Sequence, residues 1–299
     1  MSLVEQAIAR MRNQANAAAS KAAASKTADT VAPIAPAAAP PVVTRIVDAA
    51  KPLKRIALDR QALRAAGYLA EESREKHFAD HFRRIKRPLI DKALAQGGAG
   101  ESRVIMVTSA LPGEGKTFSS INLALSMSLE RDVSVLLVDC DVAKRHISDI
   151  LGLNKDLGLL DALADESLEI GSLVVDTNVP GFSILPAGRR AETMAELLSS
   201  NRMRQLIGDL CRHDPRRIVL LDSPPLLITN EGRVLVKFAG QVVLVLRAGQ
   251  TPRHTVQDAV ALIGAQQSGG IILNDVGVVG ADGYYGYGSY GYGIDGDDA

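Results

Sequence analysis

A strand-like run, Val104-Ile-Met-Val-Thr-Ser, leads into Ala110-Leu-Pro-Gly-Glu-Gly-Lys-Thr117. Glycines followed by lysine and threonine, placed between an apolar strand and a helix, make a cradle for a polyphosphate. Backbone N–H groups of Gly113, Glu114, Gly115, Lys116 and Thr117 would surround phosphate oxygens at the positive end of that helix. Phe118 follows in the same turn and is counted with the cofactor-binding positions. The Lys116 ammonium would reach the β- and γ-phosphates of ATP, and the Thr117 hydroxyl would ligate Mg2+. The general pattern has glycine where this chain has Ala110, but Gly113 and Gly115 remain.

Two further apolar runs end in carboxylates: Val135-Leu-Leu-Val-Asp-Cys-Asp141 and Ile218-Val-Leu-Leu-Asp-Ser-Pro-Pro225. In a parallel sheet the carboxyl ends of the strands share one edge, where ligands bind. Asp139, Asp141 and Asp222 would then converge on the phosphate loop, completing a catalytic set with Lys116. Asp222 would hold Mg2+ through water, beside Thr117, and Asp139 would act near the metal. Asp141 is the candidate to accept a proton from an attacking hydroxyl. A single strand-end Asp is usually a cap or turn former; three beside one phosphate loop carry the functional reading. A carboxylate is a weak base for a phenol of pKa about 10, so positioning and metal charge must supply most of the effect. His77, His81, His146, His213 and His254 show no ligand spacing and read as surface or packing residues.

Five of the six tyrosines, Tyr284, Tyr285, Tyr287, Tyr290 and Tyr292, lie near the C-terminus among glycines and serine. Such a segment cannot build a core. Repeated phenols on a tether read either as something acted upon or as an adhesive end, depending on what the rest of the chain can do. Eleven residues separate Asn274 from Tyr285, a reach of at most roughly 36–40 Å.

The elements that must position these residues follow from the pattern. Apolar runs at 104–107, 133–138, 182–185, 218–221, 242–246 and 271–273 alternate with helical segments at 117–130, 193–212, 229–238 and 252–267. This alternation predicts a doubly wound, mostly parallel α/β sheet flanked by helices. A hydrophobic content of 46% with only 4% aromatics suits an aliphatic parallel sheet. Ahead of it, 58–66 and 72–94 read as helices, the second with Phe78, Phe82, Ile85 and Leu89 at helical spacing and Arg83, Arg84, Lys86 and Arg87 clustered upon it. The chain divides into an N-terminal helix at 1–24 that could dock a partner, an Ala/Pro-rich linker at 25–52, a body at 53–275 and a Gly/Tyr-rich tail at 276–299. Lys plus Arg balances Asp plus Glu, which gives no case for nucleic acid. No run approaches the ~18 apolar residues of a membrane helix. The N-terminus does not read as a signal peptide. Cys140 and Cys211 are too few for a disulfide framework or a zinc site, pointing to a reducing cytosol.

Together the phosphate loop, the Asp139-Cys-Asp141 and Asp222-Ser-Pro-Pro strand ends and the tyrosine tail resemble the bacterial tyrosine kinases (BY-kinases). The likeness is to stand-alone autokinases of exopolysaccharide and exosortase loci, and it covers residues 55–292. It implies a P-loop NTPase fold and a Mg-ATP-dependent autokinase that phosphorylates its own tail tyrosines and regulates exopolysaccharide polymerisation or export. It also implies a cytoplasmic protein held at the inner membrane by a separate transmembrane co-polymerase, and opposed by a tyrosine phosphatase. Family members form rings through a Glu-x-x-Arg-x-x-Arg helix; the aligned residues here are Asp80, Arg83 and Lys86, on the helix within 72–95. Where the family often has Asp-x-Asp-x-Arg, this chain has Ala143, followed by Lys144 and Arg145. Gly270-Ile-Ile-Leu-Asn274 resembles the superfamily strand that presents an Asn near adenine, although Asn274 reads equally well as a turn former. The alternatives are a ParA/MinD-like ATPase switch and a nucleotide-binding scaffold without kinase activity. Partition and division ATPases carry an extra lysine early in the loop, where this chain has Leu111.

Overall fold

The computed structural model describes residues 54–95, 100–190, 193–212, 214–264 and 267–276. The N-terminal helix, the linker, His213 and the five tail tyrosines lie outside them. In chain order the strands are β1 (Arg55–Ile56), β2 (Val104–Ser109), β3 (Ser134–Asp139), β4 (Val175–Thr177), β5 (Phe182–Leu185), β6 (Arg217–Asp222), β7 (Gln241–Arg247) and β8 (Ser268–Asn274). The helices are α1 (Arg60–Ala65), α2 (Glu72–Leu94), α3 (Lys116–Met127), α4 (His146–Ile150), α5 (Leu159–Ala164), α6 (Met194–Ser199), α7 (Asn201–Arg212), α8 (Asn230–Leu235) and α9 (Arg253–Leu262). Among the described residues the strands form one sheet in the order β1-β4-β5-β3-β6-β2-β7-β8. Every pairing is parallel except β4 with β5.

The central strands are apolar throughout because both of their faces are covered. All six residues of β2 are buried. Alternation then sends successive side chains to opposite layers. Met106, Leu136, Val138, Val219 and Leu221 join the core beneath α5 to α9. Ile105, Val107, Val135, Leu137 and Leu220 join the other, beneath α2 and α3. A fully buried leucine such as Leu137 contributes about 1.5–3 kcal/mol through this burial.

Register aligns the chemistry. Asp139 of β3 lies directly opposite Asp222 of β6, and Asp222 lies opposite Val107 of β2, two residues before that strand enters the phosphate loop. β8 runs parallel to β7 with Asn274 opposite Arg247, so it ends on the same edge.

α2 packs on α3 along Phe82, Lys86, Leu89 and Ala93, all buried. The presence of Lys86 in this stripe departs from the expected basic surface. Its ammonium donates to the Ser126 carbonyl at 2.5 Å and pairs with Glu130 at 2.9 Å. A cation at the C-terminal end of α3 complements the exposed carbonyls and the helix dipole there. Arg83, Arg84 and Arg87 stay exposed, as a solvated face would.

Candidate active site

The phosphate loop is shaped by two left-handed residues, Gly113 (φ 82°) and Gly115 (φ 92°). Gly115 is required twice over: a Cβ there would lie 1.9 Å from Nδ2 of Asn274. Glu114 points inward and is buried. Its carboxylate accepts from the Leu111 N–H at 2.7 Å and from the Thr251 hydroxyl, clamping the loop to the β7–α9 connection. The Glu114 side chain therefore sets the shape of the loop. This role does not show in the motif, because its partners are remote or main-chain.

α3 starts at Lys116, and its first turn supplies the polar groups. Lys116 Nζ donates to Asp141 Oδ2 at 2.6 Å, with both side chains buried. Burial pulls the ammonium toward neutrality, but Asp222 and Asp141 outweigh it, and its pKa lies above the usual lysine value. Lys116 is therefore charged at neutral pH. The Thr117 hydroxyl donates to Asp222 Oδ2 and Ser120 to Asp222 Oδ1, both at 2.9 Å. Ser120, one helical turn after Lys116, is a participant that the motif alone does not reveal. Burial raises the Asp222 pKa, while Lys116 and the two hydroxyls oppose the rise.

Asp139 is held from β3 by α4. Its Oδ2 accepts from the Ser148 N–H at 2.9 Å and hydroxyl at 2.7 Å. Its Oδ1 is buried with no hydrogen-bond partner. Burial, opposed by Ser148 and reinforced by Asp222, pushes its pKa up to about 7. Ser148 lies nine residues beyond Asp139, and only the fold brings it back. The Tyr68 hydroxyl lies 3.2 Å from His146 Nδ1 at the start of α4, and Asn122 of α3 donates to the Tyr68 carbonyl at 2.8 Å. The segment between α1 and α2 is thus fastened beside the site.

The donor set fits Mg2+. Three carboxylates stand against one ammonium, and the buried Asp139 Oδ1 has no hydrogen-bond partner. Hard oxygen donors of this kind suit a small divalent ion. Thr117 and Asp222 are the residues that would hold it, with Asp139 alongside.

The structure brings Gly113 to Thr117, Asp139, Asp141 and Asp222 together. Asn274 reaches the loop as well, donating through Nδ2 to the Glu114 carbonyl at 3.0 Å. The Phe118 ring takes no place among the polar groups. It stands edge-on to Phe78 at 5.7 Å and tilted to Phe82 at 6.3 Å, in the α2–α3 contact. On α2, Asp80 and Arg83 are exposed and pair with each other at 2.8 Å. Lys86 is absent from that surface because it is committed to α3.

A family model described as an AAA domain matches residues 102–266. The tyrosine-protein kinase wzc of Salmonella typhimurium is 34% identical over 195 residues, 64% of this chain and 26% of that protein. The tyrosine-protein kinase CpsD of Streptococcus agalactiae is 29% identical over 201 residues, 64% of this chain and 82% of that protein. The solved VpsO kinase domain superposes with a TM-score of 0.57 at 30% identity, covering 69% of this chain and 100% of that one. The chain spans about a quarter of the length of the first curated relatives it matches. Its phosphate loop, its strand-end aspartates and these likenesses agree: the chain belongs to the AAA-domain family and, within it, to the bacterial tyrosine kinases.

Proposed function

We propose that the chain is an ATP-dependent protein-tyrosine autokinase whose acceptors are Tyr284, Tyr285, Tyr287, Tyr290 and Tyr292. The observation that carries this reading is the position of Asn274. The last residue of β8 is hydrogen-bonded to the phosphate loop, and Tyr284 follows it by only ten residues in the sequence.

In this reading the N–H groups of Gly113 to Thr117 bind the phosphates of ATP. Arrival of the γ-phosphate draws Lys116 away from Asp141. That exchange frees an Asp141 oxygen next to the reacting phosphorus. A tyrosine oxygen attacks the γ-phosphorus, the bond to the bridging β–γ oxygen breaks, ADP leaves and the phenolic proton passes to Asp141. Mg2+ supplies charge neutralisation on the β- and γ-phosphates. Most of the rate comes from placement and charge, because a carboxylate is a weak base for a phenol.

The setting we propose is regulation of exopolysaccharide polymerisation or export, with a transmembrane co-polymerase as activator, a tyrosine phosphatase as opponent and a ring as the assembled form. Among the described residues no helix is long and apolar enough to cross a membrane. Peripheral attachment through the partner accords with that. In the proposed ring, Asp80 and Arg83 would exchange their mutual pair for contacts with a neighbour.

Incubating the purified chain and the activator's cytoplasmic segment with Mg-ATP tests the reading by phosphotyrosine immunoblot and phosphate release. The wild type should gain phosphotyrosine, and a variant with all five tail tyrosines changed to Phe should not. Phosphate release without phosphotyrosine in the wild type would favour an ATPase switch and overturn the kinase reading.

A further inference from the structure

His77 and His81 take no part in the chemistry above. They lie one turn apart on the exposed side of α2, and their Nε2 atoms face each other at 3.0 Å. The rings meet edge to face with centroids 4.4 Å apart. Only one proton fits between the two nitrogens, so at least one lone pair points into the gap. Asp80 shares this face, three residues from His77. The sequence His77-Phe-Ala-Asp-His81 thus places two imidazoles and a carboxylate on one patch.

We propose that His77 and His81 form a bidentate site for a borderline divalent ion, Ni2+, Cu2+ or Zn2+, separate from the Mg-ATP site. Metal–imidazole bonds are about 2.0–2.1 Å long, so nitrogens at this separation subtend an angle of about 94° at a shared ion. That is the cis angle of the tetragonal and octahedral sites that Cu2+ and Ni2+ adopt. Tetrahedral Zn2+ needs the nitrogens about 3.4 Å apart, a small opening for two exposed side chains. Imidazole pairs do not suit Mg2+, which takes oxygen ligands.

The surroundings permit a cation. Asp80 sets a carboxylate beside the pair, with Oδ1 on Arg83 at 2.8 Å. Both histidines are exposed, so water can complete the coordination.

The test is calorimetric titration of the full chain, free of any polyhistidine tag and saturated with Mg-ADP, with NiCl2 and with ZnCl2. We expect one equivalent of Ni2+ to bind, weakened at least tenfold in His77→Gln and in His81→Gln and lost in the double variant. Circular dichroism confirms that the variants keep their helix content; should the double variant lose it, the single variants decide. Equal titration of wild type and variants would place the ion elsewhere and overturn the proposal. Absence of binding to the wild type would leave an imidazole–imidazole hydrogen bond only, and would also overturn it.

Discussion

Replacing Asp139 by Asn should remove a pH dependence of stability that the wild-type fold carries. Asp139 is fully buried, its Oδ1 has no partner, and its pKa rises from 3.8 to about 7. The folded chain therefore holds a proton that the unfolded chain has already released. The resulting contribution to stability is fully present below pH 3.8. It declines as pH rises and is gone above the folded value near 7. A shift of this size corresponds to about 4 kcal/mol at about 1.4 kcal/mol per pKa unit, an order-of-magnitude figure. Asparagine keeps an oxygen for the Ser148 N–H and hydroxyl and cannot ionise. In urea melts of nucleotide-free, metal-free protein, the variant should gain on the wild type steadily between pH 5 and pH 7.5. The difference should then level off. Taking the difference cancels groups remote from Asp139 and common to both proteins. Parallel stability profiles across that range would show that Asp139 is not driven toward its neutral form by burial, and would refute the reasoning.

Other predictions follow from the same contacts. Lys116→Met should lower phosphoryl transfer by about 100- to 1,000-fold, the usual cost of one preorganised charge-stabilising donor, measured as phosphate incorporated per unit time. Gly115→Ala should abolish binding of a fluorescent ATP analogue, because the added methyl meets Asn274 in a left-handed backbone. Adding Asn274→Ala should relieve only the collision. Lys86→Met should cost about 1.5–3 kcal/mol in a denaturant melt by depriving the Ser126 carbonyl of a charged donor. Arg83→Ala should stay within about 0.5 kcal/mol. Full tail phosphorylation adds roughly −8 to −10 charges and should loosen self-association, seen as a smaller particle by light scattering.

The architecture was legible wherever pattern and period agreed. The Glu72–Leu94 helix and the Phe182–Leu185 strand match their expected bounds, and every other expected strand appears with its ends shifted by at most three residues. β1 and β4 are two and three residues long, too short to leave a period. The segment 193–212 divides at Ser200 into α6 and α7, a break that no glycine or proline marks. The convergence of Asp139 and Asp222 was readable because a strand-end carboxylate in a parallel sheet has only one edge to occupy. Ser148, Ser120 and Thr251 were not, since each is an ordinary polar residue until the fold sets it against a carboxylate. Lys86 was read as surface because a lysine in a basic cluster usually is; its burial depends on the end of α3, forty residues away. The histidines were read without ligand spacing, yet His77 and His81 stand four apart on a helix and face each other.

The central claim, that the tail is the substrate of its own domain, is tested most directly by mass spectrometry of the tail peptide. The sample is the chain incubated with Mg-ATP and the activator segment, alongside Lys116→Met. Phosphate on tyrosines within 284–292 in the wild type, and none in the variant, is the predicted result. A phosphate-free tail in a wild-type sample that has consumed its ATP would contradict it.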